Sequence, residues 1–396
     1  MIAPVVKSLV LQGFRSVPGT RLELDNPTFL VGRNGSGKSN LVDAFAFLGE
    51  AMASPLDAAF ERRGSLSVVL NRSPGSSEPA HLGLGVELGR LGRGEVVGAR
   101  YAFEVRFTPR HGFEVAREQC KIRLRDGASH WFEREGGEFR SNVPGLEPAL
   151  EPAALGLPVV GGDARFAPVL RTLAAIQVHS IEPARLRELQ DSNGGRRLRR
   201  DGANCAGVLQ DIAEESPEDM TRIREVLATI VPDVREMRVR EHGGKLALEF
   251  IQANGDEGLR FDASGMSDGA LRAVGLLAAV YQRPKPSLLI IEEPEATIHT
   301  GAIGAISDLL RHAARSVQVL VTTHSPELLD ADWIEDRHLR VTEWERGATH
   351  VSRVSEATRQ ALARHVMGAG ELLRSNALEA TAARDAGPVL FEGDPR

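Results

Sequence analysis

The chain has 396 residues, of which 42% are hydrophobic and 26% charged, an ordinary composition for a globular protein with a packed core. A formal net charge of -6 excludes a protein that is basic overall but allows a local basic surface. Cys120 and Cys205 have no metal-ligand spacing and define no disulfide framework. No apolar run is long enough to cross a membrane, and the amino terminus is no signal peptide, so we expect a cytoplasmic protein.

The first part of the chain predicts short strands, a glycine-rich loop and a helix, and then further strands. The strands are expected over 5–11, 21–24 and 28–31, and the helix from Lys38 to about Glu50. Two alternating apolar segments, starting at Leu82 and Tyr101, predict antiparallel, half-buried strands. Residues 65–78 are polar and predict a loop, and 136–162, rich in Gly and Pro, predict a surface excursion.

The second part predicts helices first and an α/β pattern afterwards. Residues 165–230 are expected to be mostly helical, with a helix that Ser216 caps and Pro217 begins. Strands are expected at 234–240 and 246–250. From 269 to 321 the order helix, buried strand, helix, buried strand is typical of a parallel sheet. Residues 355–383 are expected to be helical.

A phosphate-binding loop follows the third predicted strand. The segment fits G-x-x-x-x-G-K-[ST], with a strand before it and a helix after it, as this motif requires. Glycines let backbone N–H groups converge on phosphate oxygens, Lys38 would reach the β- and γ-phosphates, and Ser39 would hold Mg²⁺. The predicted nucleotide contacts are Gly32, Arg33, Asn34, Gly35, Ser36, Gly37, Lys38, Ser39 and Asn40.

Two adjacent carboxylates, Glu292 and Glu293, follow the apolar run 288–291. Ligands bind at the carboxyl ends of parallel strands, and neighbouring strand residues point in opposite directions. We therefore assign Glu292 to Mg²⁺ and Glu293 to the attacking water as general base. The alternative is a pair of exposed loop acids. His324 follows the next buried strand, where it could bind the γ-phosphate or the water.

Residues 264–272 read Ser-Gly-Met-Ser-Asp-Gly-Ala-Leu-Arg, a Ser-x-Gly turn that opens a helix. The turn could form a second anion site, or Ser267 could simply cap the helix.

The chain resembles the RecF/SMC/OLD-like branch of ABC-type ATPases, especially RecF-like predicted ATPases often described as AAA family. The motifs that carry the resemblance are, in chain order, the phosphate loop, the Ser-Asp-Gly turn, Leu-Leu-Ile-Ile-Glu-Glu-Pro and Thr-Thr-His-Ser-Pro. The resemblance covers residues 5 to about 330. It implies a P-loop NTPase ABC-type head of α/β class, with an N-terminal antiparallel β subdomain and a helical insert. It also implies that two heads sandwich two ATP molecules, with Ser267 and Gly269 contacting ATP across the dimer. His324 would then be the switch histidine, and residues 295–299 the loop that couples the two sites.

The chain also departs from the pattern of that family. Glu292 stands where an Asp is usual, and the long coiled-coil heptads of a true SMC protein are missing. The resemblance further implies a glutamine that senses Mg²⁺, for which Gln177 is the best candidate. Residues 389–394 look like the first strand of a Toprim domain, but we expect no nuclease activity.

Four arginines, Arg196, Arg197, Arg199 and Arg200, form a basic segment beside two glycines. A mobile basic loop there could contact a DNA backbone, or it could be a plain solvated loop. We divide the chain into an ATPase lobe with the phosphate loop and β subdomain (1–165), a helical insert (166–232), a second ATPase lobe (233–345) and a helical tail (346–396).

The functional prediction is a Mg²⁺-dependent ATPase that dimerises on ATP and acts on DNA in repair, recombination or phage defence. The alternative is an ATP-gated regulatory module that controls a separately encoded effector protein, with slow or incidental hydrolysis.

Overall fold

The computed structural model describes residues 1–71, 81–92, 94–108, 112–232, 234–254, 257–381 and 389–391. Its strands are β1 (Val6–Phe14), β2 (Val17–Glu23), β3 (Thr28–Val31), β4 (His81–Leu88), β5 (Val96–Thr108), β6 (Gly112–Leu124), β7 (Ser129–Glu135), β8 (Glu138–Ser141), β9 (Ile176–His179), β10 (Gln190–Asp191), β11 (Val234–His242), β12 (Lys245–Asn254), β13 (Glu257–Asp262), β14 (Leu288–Glu292), β15 (Gln318–Thr323), β16 (Leu339–Glu345) and β17 (Ala348–Ser352).

The helices are α1 (Lys38–Ala53), α2 (Leu56–Glu61), α3 (Leu66–Val69), α4 (Gly156–Val160), α5 (Ala167–Ala174), α6 (Pro183–Arg187), α7 (Cys205–Glu215), α8 (Pro217–Ile230), α9 (Asp268–Tyr281), α10 (Ile303–Ala313), α11 (Pro326–Leu329), α12 (Glu356–Ala363) and α13 (Ala369–Arg374). None of the helices in the described ranges is both long and apolar enough to cross a membrane. The elements form two compact units.

The phosphate-loop unit comprises Ala3–Ile176, Asp336–Gln360 and Leu378–Arg396. Its antiparallel sheet has the strand order β2-β1-β4-β5-β6-β7-β8, so the predicted antiparallel subdomain is present. Strand β3, which leads into the phosphate loop, pairs in parallel with β16, and β16 pairs antiparallel with β17. Helix α1 buries Leu41, Ala44, Phe45 and Leu48, the apolar positions of its sequence pattern.

The excursion predicted at 136–162 is partly a structural core element. Leu155, Leu157 and Val160 are buried, and the backbone N–H groups of Gly156 and Leu157 donate to the Glu118 carboxylate on β6, at 2.5 and 2.9 Å. Burial raises the pKa of Glu118, although these hydrogen bonds act in the opposite direction. A buried acceptor far away in sequence thus holds the segment, and composition alone does not show this.

The acidic-strand unit comprises Met1–Ile2, Gln177–Glu335 and Ala361–Ala377. Strands β14 and β15 are parallel, as predicted, with Leu288 opposite Gln318 and Glu292 opposite Thr322. Strand β9 is next to β14 in the same sheet. A separate antiparallel group contains β10, β11, β12 and β13.

Three further local predictions need correction. The segment 165–230 is interrupted by β9 and β10, so it is less helical than its composition suggests. Strand β17 lies within the range predicted as a helical tail. In the segment predicted as a loop over 65–78, the described part contains the short helix α3, and residues 72–78 lie outside the described residues.

Candidate functional site

The phosphate loop connects β3 to α1 in the phosphate-loop unit. Gly35 and Gly37 have φ angles of 79° and 98°, in the left-handed region that favours glycine. The Lys38 Nζ folds back onto the loop and donates to the carbonyl oxygens of Gly32 (2.7 Å) and Arg33 (3.0 Å). The lysine is therefore already above the loop, held by acceptors that a phosphate could replace.

Two glycines of the loop are packed too tightly for a side chain. A Cβ on Gly32 would clash with the carbonyl of Thr342, and one on Gly37 would clash with the side chain of Thr349. The Thr349 hydroxyl is 2.6 Å from the Ser16 hydroxyl, which accepts a hydrogen bond from Asn40 at 2.5 Å. The sequence reasoning missed Thr349, because it lies 311 residues beyond Lys38.

The geometry of the loop fits a phosphate group. The Ser36 Oγ is buried and has no hydrogen-bond partner among the described residues. A Cβ built on Gly35 meets no atom within 4 Å, so the backbone of the loop is open on that side. An anion bound by the loop could accept a hydrogen bond from the Ser36 hydroxyl, a buried donor without an acceptor among the described residues.

The carboxyl ends of β14 and β15 carry the predicted acidic pair and histidine. Glu293 has φ 44°, a strained backbone angle for a residue other than glycine. Its N–H donates to the Thr322 carbonyl oxygen at 3.0 Å and also lies 3.2 Å from the Thr322 hydroxyl. This conformation ends the strand abruptly, so the two glutamates differ in environment: the side chain of Glu292 is 11% exposed and that of Glu293 is 41% exposed.

His324 lies beside two carboxylates. Its Nδ1 is 3.4 Å from the Glu293 Oε1 and 4.0 Å from the Glu295 Oε1. The buried Glu295 accepts from the Thr323 hydroxyl at 2.6 Å and from the His324 N–H at 3.3 Å. Sequence reasoning placed Glu295 only within the coupling loop 295–299, whereas the structure shows that it links this loop to the end of β15.

Arg272 on α9 is a site residue that the sequence reasoning did not single out. Its Nη1 is 3.5 Å from the Glu293 carbonyl oxygen. Burial lowers the pKa of Arg272, while Glu293, Glu295 and Asp268 act to raise it. Its position in the segment 264–272, three residues after Gly269 of the Ser-Asp-Gly turn, is the signal that could have indicated it.

The arginine segment is less free than a solvated loop. Arg200 Nη2 forms an ion pair of 2.6 Å with the Glu292 Oε1, and Arg196 pairs with Glu215. The Asn204 side chain donates to the carbonyls of Gly194, Gly195 and Arg197 and accepts from the Arg199 N–H. These contacts tether the segment, and one of its arginines, Arg200, pairs with the carboxylate assigned to Mg²⁺.

Gln177 lies on β9, in the same sheet as the acidic strand. Its Oε1 is 3.2 Å from the Nε2 of His179, and the same nitrogen is 3.2 Å from the amide nitrogen of Gln282. Burial lowers the pKa of His179 to about 4, so the ring is neutral near pH 7. In this arrangement the Gln177 amide points to a buried histidine.

The Ser-Asp-Gly turn begins α9. The Ser267 Oγ accepts from the Ala270 N–H at 3.2 Å, so Ser267 does cap the helix. Its hydroxyl hydrogen remains available as a donor, because one hydroxyl can accept and donate at once. A Cβ on Gly269 would approach the Thr297 carbonyl oxygen to 2.5 Å, so this glycine packs directly against the coupling loop.

Within the described part of the chain, no group of three or more His, Cys, Asp or Glu side chains could hold a metal ion. Mg²⁺ bound at phosphates takes few protein ligands and keeps several waters. Ser39 and Glu292 have oxygen donors of the type that Mg²⁺ prefers.

Comparisons with known proteins agree with these features. Residues 28–97 and 171–330 match a family described as "AAA domain, putative AbiEii toxin, Type IV TA system". The match covers more than half of the chain, and the chain belongs to this family. A search of curated proteins found no match.

Among solved structures, the chain resembles an Smc head bound to the C-winged helix domain of ScpA, with 17% identity and a TM-score of 0.51 over 89% of this chain and 99% of that one. It also resembles an Smc head domain with an extended coiled coil bound to the C-terminal domain of ScpA, derived from Pyrococcus furiosus, with 14% identity and a TM-score of 0.51 over 92% of this chain and 99% of that one. The fold is therefore that of an ABC-type, SMC-like P-loop ATPase head, and the predicted fold class is confirmed.

Proposed function

We propose that this chain is a Mg²⁺-dependent ATPase head that dimerises on ATP and acts on DNA. The observation that carries the hydrolytic part of the proposal is the cluster of Glu293, His324 and Glu295 at the carboxyl ends of two parallel strands. A carboxylate that is half exposed and held beside a histidine can accept a proton from water. The two buried hydrogen bonds of Glu295 keep the cluster in place.

The roles of the residues follow from this chemistry. Lys38 and the loop N–H groups bind the β- and γ-phosphates, and Glu293 takes the proton of the attacking water. His324 donates to the γ-phosphate or to that water. When bound, Mg²⁺ supplies charge neutralisation at the phosphates, with Ser39 and Glu292 as its protein ligands and Gln177 as the residue that senses it.

Arg200 adds a condition to this proposal. It pairs with Glu292, and the Glu292 carboxylate must exchange this partner before it can serve Mg²⁺. The guanidinium released in this way is a cation beside the acidic strand, where negative charge from the nucleotide would accumulate.

The direct test is Glu293→Gln, with Glu218→Gln, an exposed glutamate on α8, as the matched control. The amide cannot accept a proton from water, so we expect turnover to fall about 10²–10⁴-fold while ATP affinity by calorimetry is retained. Equal turnover in Glu293→Gln and the parent would move the base role to another residue.

A second candidate function is an ATP-gated regulatory module that controls a separately encoded effector, with slow hydrolysis. The Arg200–Glu292 pair favours it, because Arg200 competes with Mg²⁺ for the same carboxylate. The description of the matching family as a toxin of a TA system favours it too. Steady-state turnover with and without single- and double-stranded DNA separates the two candidates. DNA stimulation supports the first, and slow turnover that DNA leaves unchanged supports the second.

A further inference from the structure

A small cavity in the acidic-strand unit lies at the end of the parallel strands opposite to Glu293 and His324. Its volume is about 220 Å³. Two lining residues, Lys285 and Ser316, lie three and two residues before the first residues of β14 and β15, whose other ends carry the catalytic candidates. At about 3.3 Å per strand residue, the two ends are roughly 15 Å apart. The cavity is therefore separate from the site described above.

The lining of the cavity is strongly cationic. Arg222, Arg283, Lys285 and Arg315 face a single carboxylate, that of Asp219. Arg283 pairs with Asp219 at 2.8 Å, and the Lys285 Nζ donates to the Ser316 hydroxyl at 2.8 Å. Neither Arg222 nor Arg315 forms an ion pair with another residue of the described ranges. Within the described part of the chain, two guanidinium groups at the cavity thus form no ion pair.

The pKa of His312 also reflects the positive charges that line the cavity. Burial lowers the pKa of His312, and Arg222, Arg315 and Lys285 lower it further. Burial also lowers the pKa of Lys285; Asp219 acts to raise it, and Arg283 acts to lower it by a smaller amount. At His312, three cations of the lining thus act together, and each has a larger effect on its pKa than Asp219 has. His312 is neutral at pH 7 and can still donate a hydrogen bond.

Helix ends alone do not account for this cluster. His312 and Arg315 are at the carboxyl end of α10, and Lys285 follows α9, where a cation stabilises the helix dipole. Arg222, however, is in the first half of α8 and serves no helix end. The stabilisation of helix dipoles also does not explain why cations in or next to three helices line the same cavity.

We propose that this cavity binds a phosphate group. Arginine presents paired N–H donors that match phosphate oxygens, and Arg222 and Arg315 have no anionic partner among the residues that the structure describes. The cavity is too small for a drug-sized ligand, but it admits an oxyanion. Inorganic phosphate, a nucleotide phosphate and a nucleic-acid backbone share this chemistry, and the experiment distinguishes them. Binding of DNA here would rest on the proposed function, whereas binding of free phosphate would not.

The test uses the full chain carrying Lys38→Ala, so that the phosphate loop does not contribute. Inorganic phosphate and pyrophosphate are titrated by calorimetry into this protein and into the same protein with Arg222→Ala and Arg315→Ala. The matched control is Arg364→Ala, another exposed arginine of the same unit. Arg222 and Arg315 are exposed, so their replacement should leave folding intact, which thermal unfolding checks. We expect the double variant to bind the anions at least tenfold more weakly and the control to bind them as before.

A labelled DNA duplex forms the second arm of the experiment. If the backbone is the source of the phosphate, the double variant lowers the slope of log affinity against log salt by about 0.9 for each phosphate that is no longer neutralised. If only the small anions bind more weakly, the site takes a free phosphate and the duplex binds elsewhere. Equal binding of both anions and of the duplex to the parent, the double variant and the control overturns the proposal. Loss of ATPase activity in Glu293→Gln has no bearing on it, so the two proposals fail separately.

Discussion

At the scale of single residues, hydrogen bonds within the phosphate loop fix the position of the Lys38 side chain. Its ammonium group donates to two carbonyls of its own loop, at 2.7 and 3.0 Å, and is 5% exposed. A phosphate in the loop would replace weak neutral acceptors by charged ones, which strengthens each hydrogen bond.

We therefore expect Lys38→Ala to abolish ATP binding by calorimetry. Lys7→Ala, which removes an exposed lysine from β1, serves as the control and should bind normally. Equal nucleotide affinity in Lys38→Ala and the control would contradict the assignment of the loop.

His179 gives a second residue-scale prediction, through pH. Its folded-state pKa is about 4, below the unfolded value of 6.5. Between these values the unfolded chain binds more protons, so the contribution of His179 to stability is fully present above pH 6.5 and is lost as the pH falls toward 4. The shift corresponds to about 3 kcal/mol at most.

We expect His179→Gln to lose less stability than the parent between pH 7 and pH 5, because glutamine has no proton to gain. Urea unfolding at these two pH values measures the difference. An identical pH dependence in both proteins would show that His179 has the same pKa in the folded and the unfolded chain.

At the scale of elements, the arginine segment is tied down by Asn204 and by two ion pairs. To bind a phosphate backbone, Arg196 and Arg200 must first exchange their carboxylate partners. This exchange reduces the net gain in counterion release from these two arginines.

We expect the variant with Ala at positions 196, 197, 199 and 200 to bind a DNA duplex more weakly, with a salt slope lower by about 0.9 for each phosphate that an arginine no longer neutralises. Fluorescence anisotropy over a range of salt concentrations measures this slope. An unchanged slope would show that these arginines do not contact the DNA and that the segment has only its structural contacts with Glu292 and Asn204.

The sequence predicted those elements whose signals are local. Helix α1 and strands β14 and β15 have their own apolar patterns, and the phosphate loop has its motif, so each could be placed within a few residues. The rest depends on partners that are distant in sequence. Arg200 reaches Glu292 over 92 residues, and Ser16 and Thr349 meet over 333. Such contacts follow from the topology of the whole chain, which no local pattern specifies.

At the scale of the whole molecule, the question is whether ATP assembles two chains. Ser267 is exposed and caps α9, and Gly269 packs against the coupling loop through the Thr297 carbonyl. The cap is satisfied within one chain. In the proposed dimer, the remaining hydroxyl hydrogen would donate to the γ-phosphate bound by the other chain. A two-fold axis would make both composite sites equivalent.

ATP would then be part of the interface, so dimerisation and nucleotide binding would be thermodynamically linked. We expect Glu293→Gln to be a monomer or loose dimer without nucleotide and a tight dimer with ATP and Mg²⁺, by light scattering. Adding Ser267→Asp separates the two roles of the serine. Aspartate caps a helix as well as serine does, but its charge repels a phosphate.

The Ser267→Asp variant should keep its thermal stability and its ATP affinity as a monomer, yet fail to dimerise. Ser267→Arg should also block the dimer, by steric and charge conflict, while Ser129→Arg on the exposed end of β7 should leave it intact. If Ser267→Asp dimerises on ATP as the parent does and has full activity, the turn is a helix cap and nothing more. The ATP-dependent change of mass in Glu293→Gln would then need a different interface.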